Sequence, residues 1–317
     1  MTIPLLNEQQ ILNALRSRTN PYFQKYYAFY SSWMGGIVTD PHLMLLSIDD
    51  HMVHRGDGVF EAMKSIERSI YQFDQHLQRL IASADRISLK LPMTIPELRE
   101  IILTTLKAAN QNNTVIRLFV SRGPGNFSVN PYDSIAPQLY VMVTELNSPS
   151  NTAYSKGVSI GKSTIPSKSS WMAEVKSCNY LPNVLMKKES VDRNLDYVFG
   201  LDEQGYITEC PTENILIVDE KGILVHPVLN QILQGTTMLR ACELARKEGI
   251  KTAVRNITVD QLHTAREILI TGTTLDVLPV VQYENRIIGN GQPGPIAIQL
   301  NKLIKLDIET GNRRTVY

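Results

Sequence analysis

Glu174-Val175-Lys176-Ser177-Cys178-Asn179-Tyr180-Leu181-Pro182-Asn183 sets a lysine just ahead of a predicted helix, Tyr180 to Val191, in a run of small and polar residues. An isolated lysine is ordinarily a solvated surface charge, because burying it unpaired is costly. Its meaning depends on its company. Glu209 follows Gly205-Tyr206-Ile207-Thr208 at the end of a predicted strand. Gln234-Gly235-Thr236-Thr237 opens the helical run Met238 to Glu248, and free N–H groups and hydroxyls at a helix start bind phosphate well. Thr271-Gly272-Thr273-Thr274, after the apolar Ile268-Leu269-Ile270, repeats the theme. Taken singly, these read as readily as an exposed acid, a capped helix and a polar turn.

Further out, the first half pairs two strand-rich stretches, Phe29 to Ser47 and Val59 to Phe73, with amphipathic helices from Gln75 to Leu89 and Glu97 to Asn110. Asp74 is the expected N-cap of the first helix. His76 and Arg79 lie three residues apart on it and project from the same side, either as its wet face or as part of an anion clamp. Strands are predicted at Val115 to Ser121 and Gln138 to Glu145. The polar, proline-containing Asn147-Ser148-Pro149-Ser150-Asn151-Thr152 is the clearest break. It divides an N-terminal helical extension (1–25) and a small α/β domain (26–147) from a linker (148–155) and a large domain (156–317). The expected fold class is α+β, with sheet and helix mixed in both halves.

Length supports two domains, since 317 residues is about twice the ~150-residue prior for one. Net charge is +1, from 32 basic and 31 acidic residues, so no overall field gathers nucleic acid or a membrane surface. Any phosphate must be gripped locally. The first ten residues lack a basic, apolar leader and no stretch is apolar enough to span a bilayer, which leads to the expectation of a soluble cytoplasmic protein. Cys178, Cys210 and Cys242 form no CxxC or Cys/His cluster, so neither a disulfide framework nor a metal site is expected. No GxxxxGK[ST], GxSxG or HExxH occurs, and Gly56-Asp57-Gly58 lacks the rest of a dinucleotide fingerprint.

A lysine for a covalent link, an acid for a ring nitrogen and an anion cup are the three parts that a pyridoxal phosphate site needs. Their order along the chain resembles that of the class IV aminotransferases, fold type IV of the pyridoxal phosphate enzymes. His54-Arg55-Gly56-Asp57-Gly58-Val59-Phe60-Glu61, Asp74-Gln75-His76-Leu77-Gln78-Arg79-Leu80, Lys176 to Leu181, Thr208-Glu209 to Glu213-Asn214, Leu233 to Thr237, Thr271 to Thr274 and Gly294-Pro295 carry the resemblance. It implies a small α/β domain and a larger domain with a mixed, barrel-like sheet. It makes Lys176 the Schiff-base lysine and general acid/base, and Glu209 the partner of the pyridine nitrogen. Arg79, Thr236, Thr237 and Thr273 become the phosphate cup, and Tyr180 the neighbour of the cofactor's phenolic oxygen. It also implies a homodimer that acts on amino acids and 2-oxo acids.

Within that family, Ile48 to Gly56 with Phe29-Tyr30-Ser31-Ser32 and Gly35-Gly36 looks most like plant-type D-amino-acid aminotransferases. Asn179-Tyr180-Leu181 is closer to the branched-chain L-amino-acid pattern, and aminodeoxychorismate lyases share the same machinery. The Arg-x-His pair that traps the substrate carboxylate in bacterial D-amino-acid enzymes is missing, because Arg122-Gly123-Pro124-Gly125-Asn126 stands in that loop. Arg55, Lys64 or Arg122 is expected to hold the carboxylate instead.

Overall fold

The computed structural model describes residues 1–168 and 170–317. The first half runs α1 (Glu8–Ser17), β1 (Tyr26–Ser31), β2 (Gly36–Val38), α2 (His51–Arg55), β3 (Gly58–Ile66), β4 (Ser69–Tyr71), α3 (Phe73–Arg86), α4 (Ile95–Ala109), β5 (Thr114–Ser121) and β6 (Gln138–Glu145). The second half continues with α5 (Asn151–Lys156), β7 (Val158–Lys162), α6 (Ser170–Ala173), α7 (Leu181–Asp192), β8 (Tyr197–Phe199), β9 (Asn214–Val218) and β10 (Leu224–His226). It ends with α8 (Thr236–Lys247), β11 (Thr252–Val254), α9 (Val259–Thr264), β12 (Glu267–Gly272), β13 (Asp276–Tyr283), β14 (Arg286–Ile287), α10 (Pro295–Thr310) and β15 (Arg314–Val316).

An antiparallel sheet in the order β15-β4-β3-β5-β6-β1-β2 forms the first layer. Strand side chains alternate between faces, and here the alternation separates core from chamber. Ile116, Leu118 and Val120 of β5 join Val59 and Met63 of β3 in a buried cluster under α3 and α4. Val115, Arg117 and Phe119 point the other way, with Phe60 and Ala62 of β3. That second face becomes a wall of the site.

The second sheet, β11-β10-β9-β12-β13-β7-β8, is mixed, with parallel pairing at β10–β11, β7–β13 and β7–β8. Its two ends are drawn together by residues 206–207. Leu201 bridges Ile207, Tyr206 bridges Thr258, and the Ile207 N–H donates to the Ile257 carbonyl at 2.8 Å. The barrel-like interior holds Ile160, Phe199, Ile215, Ile217, Ile268 and Ile270. Leu216, Val218 and Leu269 alternate outward and pack with α8 and α10.

Three sequence expectations change. Helix α3 is not capped by Asp74: Gln72, at φ 56°, is the N-cap, and Asp74 sits inside the first turn, paired with Arg99. The stretch expected as a linker contains α5, whose start is capped by Ser150. Finally, the chain ends in the first sheet, because β15 pairs antiparallel with β4.

Candidate active site

Lys176 lies between the two sheets, tied to the first. Its carbonyl accepts from the Phe60 N–H at 2.9 Å, and the Cys178 N–H donates to Gly58 O at 2.9 Å. The Lys176 N–H donates to Ser83 Oγ of α3 at 3.1 Å. The residue is 8% exposed, and its Nζ rests 4.5 Å from the centroid of the Phe60 ring. Burial, and next the Arg79 charge, push its ammonium down to about 8, against the pull of Glu61 and Glu209. A lysine held this way loses its proton near neutrality.

Arg79 is gripped by Glu61, a fully buried carboxylate of β3. Nε donates to Oε1 at 2.6 Å and Nη2 to Oε2 at 2.8 Å, while Nη1 donates to Gln234 O at 3.1 Å. Burial alone would raise the Glu61 carboxyl, but Arg79 and then His76 hold it well below the usual carboxylate range. His76 Nδ1 lies 2.7 Å from Glu61 Oε2 and its Nε2 3.3 Å from Thr236 Oγ1. Burial keeps His76 below its ordinary value, so the imidazole is neutral. Its one N–H goes to the carboxylate, and Nε2 accepts from the Thr236 hydroxyl. In that form the Thr236 hydroxyl is engaged by His76, and its backbone N–H stays at the open start of α8. The amphipathic helix has turned His76 and Arg79 inward, against their reading as its wet face.

Glu209 stands opposite. Its Oε2 accepts from the Leu233 N–H at 3.1 Å and from Asn214 Nδ2 at 3.3 Å. Among the described residues Oε1 has no hydrogen-bond partner. Burial raises the carboxyl to about 7, with the Leu233 N–H, Lys176, Lys168 and Arg79 pulling it back. A pocket lined by Arg79, Lys176, Tyr180, Glu209, Thr236, Thr237, Thr271 and Thr273 unites these groups. It opens into a chamber of about 450 Å³ walled by Phe60, Ala62, Val115, Arg117, Phe119, Tyr180 and Leu275.

The three cations expected to hold a substrate carboxylate are engaged elsewhere, and none lines this chamber. Lys64 is on the chamber face of β3 but is taken by Asp276 at the start of β13. Arg122 forks onto Asp57 at 3.0 Å through Nε and Nη2, and also donates to Ser88 O and Ile87 O. Arg55 donates to the carbonyls of His54 and Phe127. Arg117, missed from the sequence, lines the chamber together with Arg79. Its described hydrogen bond is to Thr144 Oγ1, at 2.7 Å, and it has no ion pair among the described residues. Its position in β5, alternating with Ile116 and Leu118, was the one sequence signal.

A desolvated amine, a half-buried carboxyl group and an open helix start, clamped between two sheets, make the site of a group-transfer enzyme. The sequence matches the family model for amino-transferase class IV over residues 58–283. It is 34% identical over 315 residues to a protein of Arabidopsis thaliana named D-amino-acid transaminase, chloroplastic, covering 98% of this chain and 83% of the relative. A D-alanine aminotransferase of Listeria monocytogenes is 28% identical, over 81% of this chain and 89% of its own. A branched-chain amino acid aminotransferase from T.th., solved with pyridoxamine 5'-phosphate, superposes with a TM-score of 0.86 at 26% identity, covering 92% of this chain and 99% of that one. The chain belongs to the class IV aminotransferases.

That class uses pyridoxal phosphate, and the residues present fit it. Thr271 Oγ1 is buried in the described structure without a hydrogen-bond partner and lines the pocket beside Thr237 and the start of α8. Gly235, the N-cap of α8, leaves no room for a Cβ, which would collide with the Asn214 side chain. Among the described residues no side chain caps that helix start, which leaves its N–H groups free where a phosphate would fit.

Proposed function

We propose that this chain is a pyridoxal-phosphate-dependent transaminase whose preferred donor is a D-amino acid of the D-alanine type, and that it works as a homodimer. The observation that carries the reading is the buried Lys176 amine, poised near neutrality, in one pocket with Glu209 and the Arg79–threonine cup. When bound, pyridoxal phosphate supplies an electron sink that acidifies the substrate Cα–H. The backbone N–H groups at the start of α8, with Thr237, Thr271 and Thr273, hold its phosphate, and Arg79 adds the charge. Glu209 offers its unpartnered Oε1 to the pyridine nitrogen. Lys176 Nζ accepts the Cα proton as a neutral amine and returns it as an ammonium. Phe60 and Phe119, with ring centroids 6.0 Å apart, keep water from the amine.

Arg117 is the group suited to the substrate carboxylate. Arg117→Met is expected to raise the KM for the amino donor about 10- to 100-fold, the worth of a hydrogen bond to a charged group. Steady-state kinetics on donor and acceptor acids check this.

Support for the D-donor comes from the Arabidopsis and Listeria relatives. Support for a branched-chain L-donor comes from the apolar chamber walls Val115, Phe119 and Leu275, and keeps that as the second reading. A half-reaction screen that follows loss of the holoenzyme's visible absorption band decides between them. D-alanine is expected to discharge the band; discharge by L-leucine alone would overturn the donor assignment. Release of pyruvate from aminodeoxychorismate without any amino acceptor would mark a lyase.

The dimer reading rests on exposed apolar side chains at one end of the first sheet. The register places Ser31, Gly58, Ser121 and Gln138 at the same end. The loops beyond carry Trp33, Ile48, Phe127, Tyr132 and Ile135, all exposed. A grouping of this kind is characteristic of an interface. Sedimentation that shows a monomer would refute it.

A further inference from the structure

A second lysine stands beside the site. The segment leading to it is tethered to the second sheet. The Ser163 N–H donates to Phe199 O at 2.8 Å and the Ser167 N–H to Leu201 O at 3.4 Å. Ser163 Oγ donates to Glu189 at 2.7 Å. Thr208 Oγ1 donates to Gly200 O at 3.0 Å, so at 2.6 Å it must accept from the Ser167 hydroxyl. Ser167 is thus fixed against the residue preceding Glu209, and a Cβ at Gly200 would collide with it.

Lys168 comes next, with its Nζ 4.6 Å from the centroid of the Tyr180 ring. Among the described residues it has no carboxylate within ion-pair distance. Tyr180 in turn packs edge-on against Phe60, with centroids 5.0 Å apart at 84°. Lys176 rests on that same Phe60 ring. Two ammonium groups are therefore joined through one aromatic pair, and among the described residues the outer one has no counter-ion to cancel its charge. Long cationic side chains ordinarily keep their charge in water. One that is half-buried against an active-site ring has a different use.

We infer that Lys168 is a positioning residue of the transamination site, which holds the Tyr180 ring against Phe60 and sets a positive charge beside Glu209 and Lys176. The inference rests on the proposed roles of Lys176 and Glu209. A like charge favours the neutral amine of Lys176 and an opposite charge the ionised carboxylate of Glu209; both directions suit the proposed chemistry. Burial is the first cause of the low value at Lys176, and Lys168 adds to it. At Glu209, Lys168 opposes the effect of burial. The other groups facing Lys176 are Arg79 and His76 from α3, Glu61 from β3, and Glu209 and Glu213 before β9. Of the cations in this set, Arg79 is balanced by Glu61. Lys168 has no such balance among the described residues.

The test uses holoenzyme and a readout other than turnover: the pH midpoint of the visible band, which reports the proton shared between Lys176 and the cofactor. Lys168→Met is expected to raise the midpoint by about half a unit to one unit, because a like charge has been removed. Lys168→Arg, which keeps the charge and the ring contact, is expected to restore it. The kcat should fall about tenfold with the donor KM nearly unchanged, as for a residue acting on the chemical step. An unchanged midpoint in Lys168→Met would overturn the inference, as would a midpoint in Lys168→Arg shifted as far as in Lys168→Met. If Lys168→Met does not fold, Lys168→Gln takes its place under the same two criteria. Failure of the underlying reading is separable: borohydride treatment of the wild-type holoenzyme would then leave Lys176 unlabelled, whatever Lys168 variants show.

Discussion

Lys176→Ala is expected to lower transamination by about 10⁴-fold or more, because on the role proposed for Lys176 it removes the covalent anchor and the proton carrier in one change. That corresponds to about 5.5 kcal/mol in the barrier. Fold stability should change little or rise, since a partly charged buried amine is replaced by a methyl group. The two readouts, single-turnover rate and thermal midpoint, therefore move differently. The pH dependence has a definite sign. With the ammonium near 8, a substantial share of the wild-type amines is neutral at pH 7.5, against about one in a thousand for a solvated lysine. The rate at which apoenzyme takes up cofactor is expected to climb with pH and level off above about 8. A rate still rising steeply at pH 10 would show that Lys176 is not desolvated.

Glu61→Ala has the second largest expected effect, and it acts on the fold as well as the site. Glu61 is fully buried, and its loss leaves the Arg79 guanidinium without its counter-charge and His76 without an acceptor. Breaking one side of a buried pair costs about 3–5 kcal/mol. Chemical denaturation at pH 7 should show that loss. Arg79 loses the two bonds that aim it, and cofactor affinity is expected to fall about 10- to 100-fold, the value of a misplaced charged hydrogen bond. The Glu61 carboxyl is held below its unfolded value, so its contribution is present above about pH 4.3 and fades as pH falls towards the folded value. The gap between wild type and variant should therefore narrow in acid. A gap that stays constant between pH 7 and pH 3 would argue against an ionised Glu61.

Much of the site was legible as an ordered set of motifs. Lys176, Glu209, Arg79, Thr237, Thr273 and Tyr180 all meet in one pocket. Periodicity also located most strands and the helices α1, α3, α4, α7 and α8, because an amphipathic pattern reports which face is covered, but it passed over α10 and the short helices α2, α5, α6 and α9. What it does not report is the covering element. Glu61 stood in a quoted motif, but its part became visible only once β3 packed under α3 and brought it to His76 and Arg79.

The carboxylate-binding residue shows the same boundary from the other side. Arg55, Lys64 and Arg122 were placed near the pocket by sequence order, yet whether a cation is free for a substrate depends on which acids the fold brings to it. Asp276, 212 positions along the chain from Lys64, claims that lysine, and Asp57 claims Arg122. Arg117 and Lys168 remain without such partners among the described residues.

The sequence by itself determined the family and the two-sheet architecture, and singled out Lys176 as the lysine to test, since these depend on residue types in a fixed order and on local periodicity. Tertiary structure alone decided how strongly that lysine is desolvated, that Arg117 joins Arg79 in the chamber lining, and that the last strand returns to the first sheet. These depend on distances between segments far apart in the chain, and a one-dimensional pattern carries no such distances.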